Sequence, residues 1–262
     1  MPAGNIATRS KPVVSMLPDG VDLAVNLWTP EARESLGAAE ADLDAGKRPG
    51  MIQMDRVRRN LLSSQPLCFN LFGYLAAHPE AALPWIRSLA PDADGVSSIR
   101  LEWAPATGTF TGSAFDAFIE YRTGRGTGFL GIECKYAENL AKSQVKPAAE
   151  KFRTATADGG WHAGAAEALD KMGLRQFWYN TLLAQLVERA GEHTRGRSVV
   201  VALADDVTAR STVDTVAAEL VDPEYLVFGS IEEVVDSIEG HDGWRDTFRR
   251  RYLDLSPSDE PA

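Results

Sequence analysis

The residues best suited to chemistry are concentrated in one stretch, FDAFIEYRTGRGTGFLGIECKY, residues 115–136. Two β-rich runs, Phe115 to Arg122 and Phe129 to Tyr136, flank Thr123-Gly124-Arg125-Gly126-Thr127-Gly128, a glycine-rich hairpin turn. A turn centred between Gly124 and Arg125 places Asp116 directly opposite Glu133. Side chains alternate faces along a strand, so Lys135 shares a face with Glu133. The other face, Phe115, Ala117, Ile119 and Tyr121 against Cys134, Ile132, Leu130 and Gly128, is predominantly apolar and is expected to meet the core.

Two carboxylates about 5 Å apart across a ladder repel each other, and a sequence that tolerates this breaks a local rule. A hard divalent cation would resolve the repulsion. Mg²⁺ takes one or two protein carboxylates together with waters and phosphate oxygens. The Lys135 ammonium would then hold an attacking water or offset charge developing on a phosphate. The same residues also read as a salt-bridged patch on a solvated sheet face, and spacing does not separate the two readings. Glu102, on the preceding strand-like run SIRLEW, is a further candidate for a metal shell.

Asp116 followed by Glu133-Cys134-Lys135 resembles the D…(D/E)-x-K signature of the PD-(D/E)XK nucleases, which share the restriction-endonuclease-like fold. The longer string FDAFIEY…GFLGIECKY is similar to a bacterial family of inferred restriction endonucleases within that superfamily. The likeness runs from SSQPLCFNLFG, 63–73, through the 174–190 and 198–204 segments. It departs from the signature in having Phe115 where proline often stands. The resemblance implies that Asp116, Glu133 and the main-chain carbonyl of Cys134 bind Mg²⁺, with Mn²⁺ as a substitute, and that Lys135 serves the nucleophilic water. It also implies a substrate-side role for Gln176, with Asn180 one turn away. Hydrogen bonding within the fold is the alternative for both amides.

Several elements must position these residues. Thr29 can cap a helix with Pro30 at its first position. Met54 to about Ala77 reads as helical, split near Ser63–Ser64 because Pro66 cannot sit within a helix. LRQFWYNTLLAQLVERA, 174–190, is amphipathic, and SVVVALA, 198–204, is a continuous apolar run typical of a strand covered on both faces. A helix near 208–220, a strand at 225–228 and a helix opened by the Ser230/Glu233 capping box follow. The expected fold is α/β: a restriction-endonuclease-like mixed sheet, with an antiparallel catalytic hairpin plus parallel strands, flanked by helices. Residues 1–53 read as a loosely patterned N-terminal extension and 54–262 as the nuclease-like domain.

Charge does not exclude a DNA partner. The net charge is −10, but residues 201–262 carry 15 acidic and 5 basic groups, whereas 111–200 carry 12 basic and 10 acidic. The acidic segment is expected to lie away from the hairpin. Lys142, Lys146, Lys151 and Arg153 are expected to approach backbone phosphates, or else to decorate a solvated loop. His78, His162, His193 and His241 show no metal-ligand spacing and read as surface or loop residues. Cys134 reads as a small buried hydrophobe, and two cysteines cannot build a disulfide framework. No apolar run approaches the roughly 20 residues of a membrane span, and MPAGNIATRSKP has no apolar core of a secretory signal. The expectation is a cytoplasmic DNA nuclease without a membrane partner, with a homodimer left open. The alternatives are an inactive nucleic-acid-binding or scaffold protein of the same fold, and an RNA or repair nuclease.

Overall fold

The computed structural model of the protein describes residues 15–45, 52–105, 113–137 and 145–254. Its centre is a five-stranded sheet in sequential order: β1 (Ala93–Trp103), β2 (Phe115–Thr123), β3 (Gly126–Cys134), β4 (Arg195–Ala202) and β5 (Leu226–Ser230). The first three strands form an antiparallel meander, and β4 and β5 join in parallel. The expected hairpin register is found: Ala117 pairs with Ile132, Ile119 with Leu130 and Thr123 with Gly126. Gly124-Arg125 is the two-residue turn. Thr123 Oγ1 accepts from the Arg125 N–H at 3.1 Å and donates to the Gly126 carbonyl at 3.1 Å. Gly126 has φ +135°, a conformation that L side chains rarely adopt.

Eleven α-helices are present among the described residues. They are α1 (Leu23–Asn26), α2 (Pro30–Asp44), α3 (Met54–Arg59), α4 (Ser64–Ala77), α5 (Leu83–Leu89), α6 (Glu150–Ala157), α7 (Ala165–Leu169), α8 (Arg175–Arg189), α9 (Val207–Ala217), α10 (Ile231–Asp236) and α11 (Asp242–Tyr252). None is long and apolar enough to cross a membrane. The sequence signals act as their chemistry requires. Thr29 Oγ1 caps α2 by accepting from the Ala32 N–H at 3.1 Å, and Ser63 caps α4 with Pro66 in its first turn. Ser230 and Glu233 close the capping box of α10.

Both faces of the sheet are covered. On one, Ala117, Ile119, Tyr121, Leu130, Ile132, Cys134, Val199 and Val201 pack with α2, α4, α5, α10 and α11. On the other, Phe118, Phe129, Val200 and Ala202 pack with α6, α7, α8 and α9. The alternating patterns in β2, β3 and β4 are therefore apolar on both sides. Phe115 departs from the expected face. It lies with Phe118 and Phe129, stacked on Trp103 at 6.3 Å between ring centroids, because Gly131 leaves its ring a place. A Cβ on Gly131 would stand 2.4 Å from that ring. Leu27, Ala32, Leu36 and Ala39, from the stretch read as an extension, belong to the same core as α4.

The polar, lysine-bearing stretch 137–172 carries no clear periodicity; its described part from residue 145 is organised by one carboxylate. Asp170 accepts from the Ala148 N–H at 3.1 Å, Arg153 Nη2 at 2.5 Å and Arg175 Nε at 2.6 Å. Burial pushes the Asp170 carboxyl up, but its bonds from Arg175 and Ala148 and the nearby guanidinium charges outweigh that and hold it below the ordinary range. Arg175 begins α8, so Asp170 fixes where that helix starts. A depressed carboxyl contributes stability that is present above its unfolded value, near 3.9, and lost as pH falls through the folded value. Asp170→Asn should therefore cost about 2 kcal/mol at pH 7. In denaturant melts the cost should shrink towards pH 3. An undiminished cost at pH 3 would show that shape, not charge, is what Asp170 contributes.

Candidate active site

The β2–β3 ladder ends at Ala117 and Ile132, and the candidate residues lie just past that point. Where the strands part, a side chain replaces the main-chain partner: Asp116 Oδ2 accepts from the Cys134 N–H at 2.7 Å. β3 meanwhile continues against β4, with Glu133 beside Val200, Cys134 beside Val201, and the Lys135 N–H donating to the Val201 carbonyl at 2.8 Å. Residues 133–135 are thus held as strand on the β4 side while their β2 side opens. Cys134 is buried in the core against Cys68 of α4, as a small hydrophobe would be, and burial raises both thiols.

Glu133 and Lys135 are 3% and 6% exposed, so neither belongs to a solvated patch. Two charges at that depth persist only with close partners. The Lys135 ammonium is ion-paired with Glu133 Oε1 and also donates to Gln176 Oε1 at 3.0 Å. Gln176 Nε2 donates to Glu133 Oε1 at 2.6 Å, and Asn180 Nδ2 donates to Glu133 Oε2. The two amides are one turn apart on α8, the spacing at which helical side chains meet a common neighbour. Both ends of the Gln176 amide are used within the cluster, so its observed contacts are those of a positioning residue.

Two further carboxylates crowd this corner. Desolvation raises the Asp116 carboxyl well above its ordinary range, with Glu133 and then Glu102 pushing the same way; Lys135 and the Cys134 N–H pull it down. Glu102 is buried near the end of β1, and its φ of +49° is the one positive value at a non-glycine position among the described residues. Left-handed backbone at a long side chain stores strain, which surrounding contacts must hold in place. Gln65, in the first turn of α4, contributes by donating Nε2 to Glu102 Oε1 at 2.5 Å. Gln65 was not singled out in the sequence. Its only signal is its place behind the Ser63 cap, which starts α4 beside the end of β1.

Asp116, Glu133 and Glu102 are close enough for each charge to act on the others, and carboxylate oxygen is the donor type that Mg²⁺ or Mn²⁺ takes. Glu133 and Glu102 add to the desolvation that raises Asp116, and their negative charge is what a divalent cation would neutralise. Glu133 accepts three donors, and an ionised carboxylate offers about four lone-pair sites, so it retains one for a metal.

The other candidates are dispersed. Lys142 lies outside the described residues. Lys146 is exposed, and its carbonyl accepts from Tyr179 of α8. Lys151 lies over the Phe152 ring at 5.1 Å, while Arg153 is ion-paired with Asp170 and Glu167. His193 is not a surface residue: it is buried and paired through Nε2 with Glu120 at 2.9 Å. Burial pushes Glu120 up, but bonds from Ser98 and His193 and the charge of Arg100 bring its carboxyl below the ordinary range. The C-terminal segment approaches the hairpin more closely than its charge suggested. The Tyr136 hydroxyl donates to the Tyr252 carbonyl at 2.9 Å, and the turn of α11 that meets it carries Arg249, Arg250 and Arg251.

No curated protein and no solved structure matches this chain. A family model described as the PD-(D/E)XK nuclease superfamily matches residues 1–254. That span contains the hairpin, both α8 amides, the strained Glu102 and the mixed sheet that carries them. The chain belongs to the PD-(D/E)XK nuclease superfamily.

Proposed function

We propose that the protein is a metal-dependent endonuclease that hydrolyses DNA phosphodiester bonds, with Asp116, Glu133 and Lys135 as its catalytic residues. The observation that carries this reading is the buried Glu133–Lys135 pair, fixed by Gln176 and Asn180 beside the raised carboxyl of Asp116. A structural ion pair does not require two further carboxylates, Asp116 and Glu102, beside it; a cation site uses them. Asp116, Glu133 and the Cys134 carbonyl would hold Mg²⁺, with Mn²⁺ able to replace it, and Glu102 would complete the set. Bound there, the cation would supply charge stabilisation at the phosphate and lower the pKa of a water.

The chain's own residues do the rest. Lys135 presents an ammonium donor that can hold the attacking water in line or offset charge on the phosphate oxygens. Gln176 orients that ammonium, and Asn180 holds the second oxygen of Glu133, so both enter the reaction already positioned. By their charge, exposed Lys146 and half-buried Lys151, on the segment before α8, would contribute phosphate contacts to DNA.

Plasmid, linear and single-stranded DNA, and RNA, incubated with Mg²⁺, Mn²⁺ or EDTA, test the reading. DNA cleavage should require metal and should fall at least 100-fold in Asp116→Ala, Glu133→Ala and Lys135→Ala. Lys135→Ala should still bind Mg²⁺. Cleavage by Lys135→Ala at the wild-type rate would remove this site from the reaction, and cleavage of RNA alone would overturn the DNA assignment.

The raised Asp116 carboxyl has its own consequence. A carboxyl whose folded value lies above its unfolded one costs stability as pH rises from the unfolded value through the folded one. Asp116→Asn keeps an oxygen for the Cys134 N–H and removes the charge. In EDTA its unfolding midpoint should exceed that of wild type at pH 8, and the gain should vanish near pH 4. Mg²⁺ should raise the wild-type midpoint and leave Asp116→Asn unchanged. A lower midpoint for Asp116→Asn in EDTA at pH 8 would refute the repulsion.

A further inference from the structure

At the far end of α4 a second set of ligating side chains comes together. His78 is the residue that ends α4, Glu80 lies in the 3₁₀ turn Pro79–Ala82, and His241 stands just before α11. One donor atom from each lies within 4.8 Å of the others. Gln65 and His78 are 13 residues apart, and 1.5 Å per residue puts this cluster about 20 Å along α4 from the carboxylates. It shares no side chain with them.

We propose that His78, Glu80 and His241 bind a divalent transition metal of the zinc class, which ties the start of α11 to the end of α4. Two imidazoles and one carboxylate are the donors that zinc takes, with the fourth position left to water; Mg²⁺ prefers an all-oxygen shell. Metal bonds of about 2.0–2.2 Å need donor atoms roughly 3.3 Å apart, so the cluster must contract by about 1.5 Å at most. Glu80, being exposed, can turn to achieve this.

The surroundings favour ligation. The Tyr74 hydroxyl lies 2.6 Å from His241 Nδ1. In the tautomer where Nδ1–H donates to that oxygen, Nε2 keeps its lone pair for a metal, and the ring is held as outer partners hold ligating histidines. Tyr74 also stacks on Trp244 of α11 at 4.3 Å, meets His78 at a tilt at 4.5 Å and His241 edge-on at 5.6 Å, so the two rings that must converge are braced by one aromatic cluster. Glu31 of α2 stands 3.8 Å from His78 Nε2 and adds negative charge at the rim.

The test uses tag-free full-length protein carrying Asp116→Asn and Glu133→Gln, so that the nuclease centre does not take up zinc. Equilibrium dialysis with Zn²⁺ should give one ion per chain, and a hundredfold excess over Kd should raise the unfolding midpoint by roughly 5 °C. His78→Gln and His241→Gln should abolish both effects. Glu80→Gln, on an exposed turn where folding is not at risk, and Tyr74→Phe, which keeps the stacked ring, should each weaken binding about tenfold. Mg²⁺ at the same concentrations should leave the midpoint unmoved. No zinc uptake by the parent at about 100 μM, or unchanged affinity in Glu80→Gln and Tyr74→Phe, would overturn the proposal and leave the cluster as aromatic packing alone.

Discussion

Everything at the candidate active site depends on a buried negative charge that has nowhere to go. Asp116, Glu133 and Glu102 converge where the β2–β3 ladder opens, and Lys135 supplies a single buried ammonium among them. In a low-dielectric corner such an excess is expensive unless donors and cations surround it. The neighbouring structure can be understood as the means of holding that arrangement. β4 keeps residues 133–135 extended, α8 sends Gln176 and Asn180 to Glu133, and α4 sends Gln65 to Glu102.

The sheet explains why this strain is tolerated where the β2–β3 ladder ends. Along most of β2 and β3 both faces are apolar and covered, so the strands cannot slip by a residue without exposing one core and burying charge in the other. Register is fixed from the turn to Ala117 and Ile132; past that point Phe115 leaves the alternation and Asp116 takes the Cys134 N–H through its side chain. The price is carried at Glu102, whose left-handed backbone turns the end of β1 towards the same corner. Asp170 does for the approach to α8 what the ladder does for the hairpin, since three donors on one carboxylate settle where the helix starts.

The two ends of α4 then have separate chemistry. Its first turn faces oxygen donors suited to a hard cation, and His78, the residue that follows it, joins a histidine pair suited to a softer one. Helix α11 is engaged at both of its ends, by Tyr74 near His241 and by Tyr136 and Asn70 at Tyr252. The acidic C-terminal segment is therefore part of the core rather than an appendage, and the arginines of its last turn are what it brings near the hairpin.

Much of this was legible locally. The glycine-rich turn and its flanking alternation determined the hairpin register as far as Ala117 and Ile132, because a two-residue turn leaves little freedom in pairing. Thr29 and Ser230 marked helix starts through hydrogen bonds made within a few residues, and Pro66 marked the break at Ser63–Ser64. Gln176 and Asn180 were visible as a pair because helical spacing is local too. Contacts between distant segments were not legible. Gln65 on Glu102, the positive φ at Glu102, the pairing of buried His193 with Glu120, and the meeting of His78 with His241 join positions whose spacing carries no signal. Phe115 crossed to the unexpected face because Gly131 made room for a ring there. Sequence determines what each short segment can be; only packing decides which segments face one another, because burial is a property of the whole core and not of any one strand or helix.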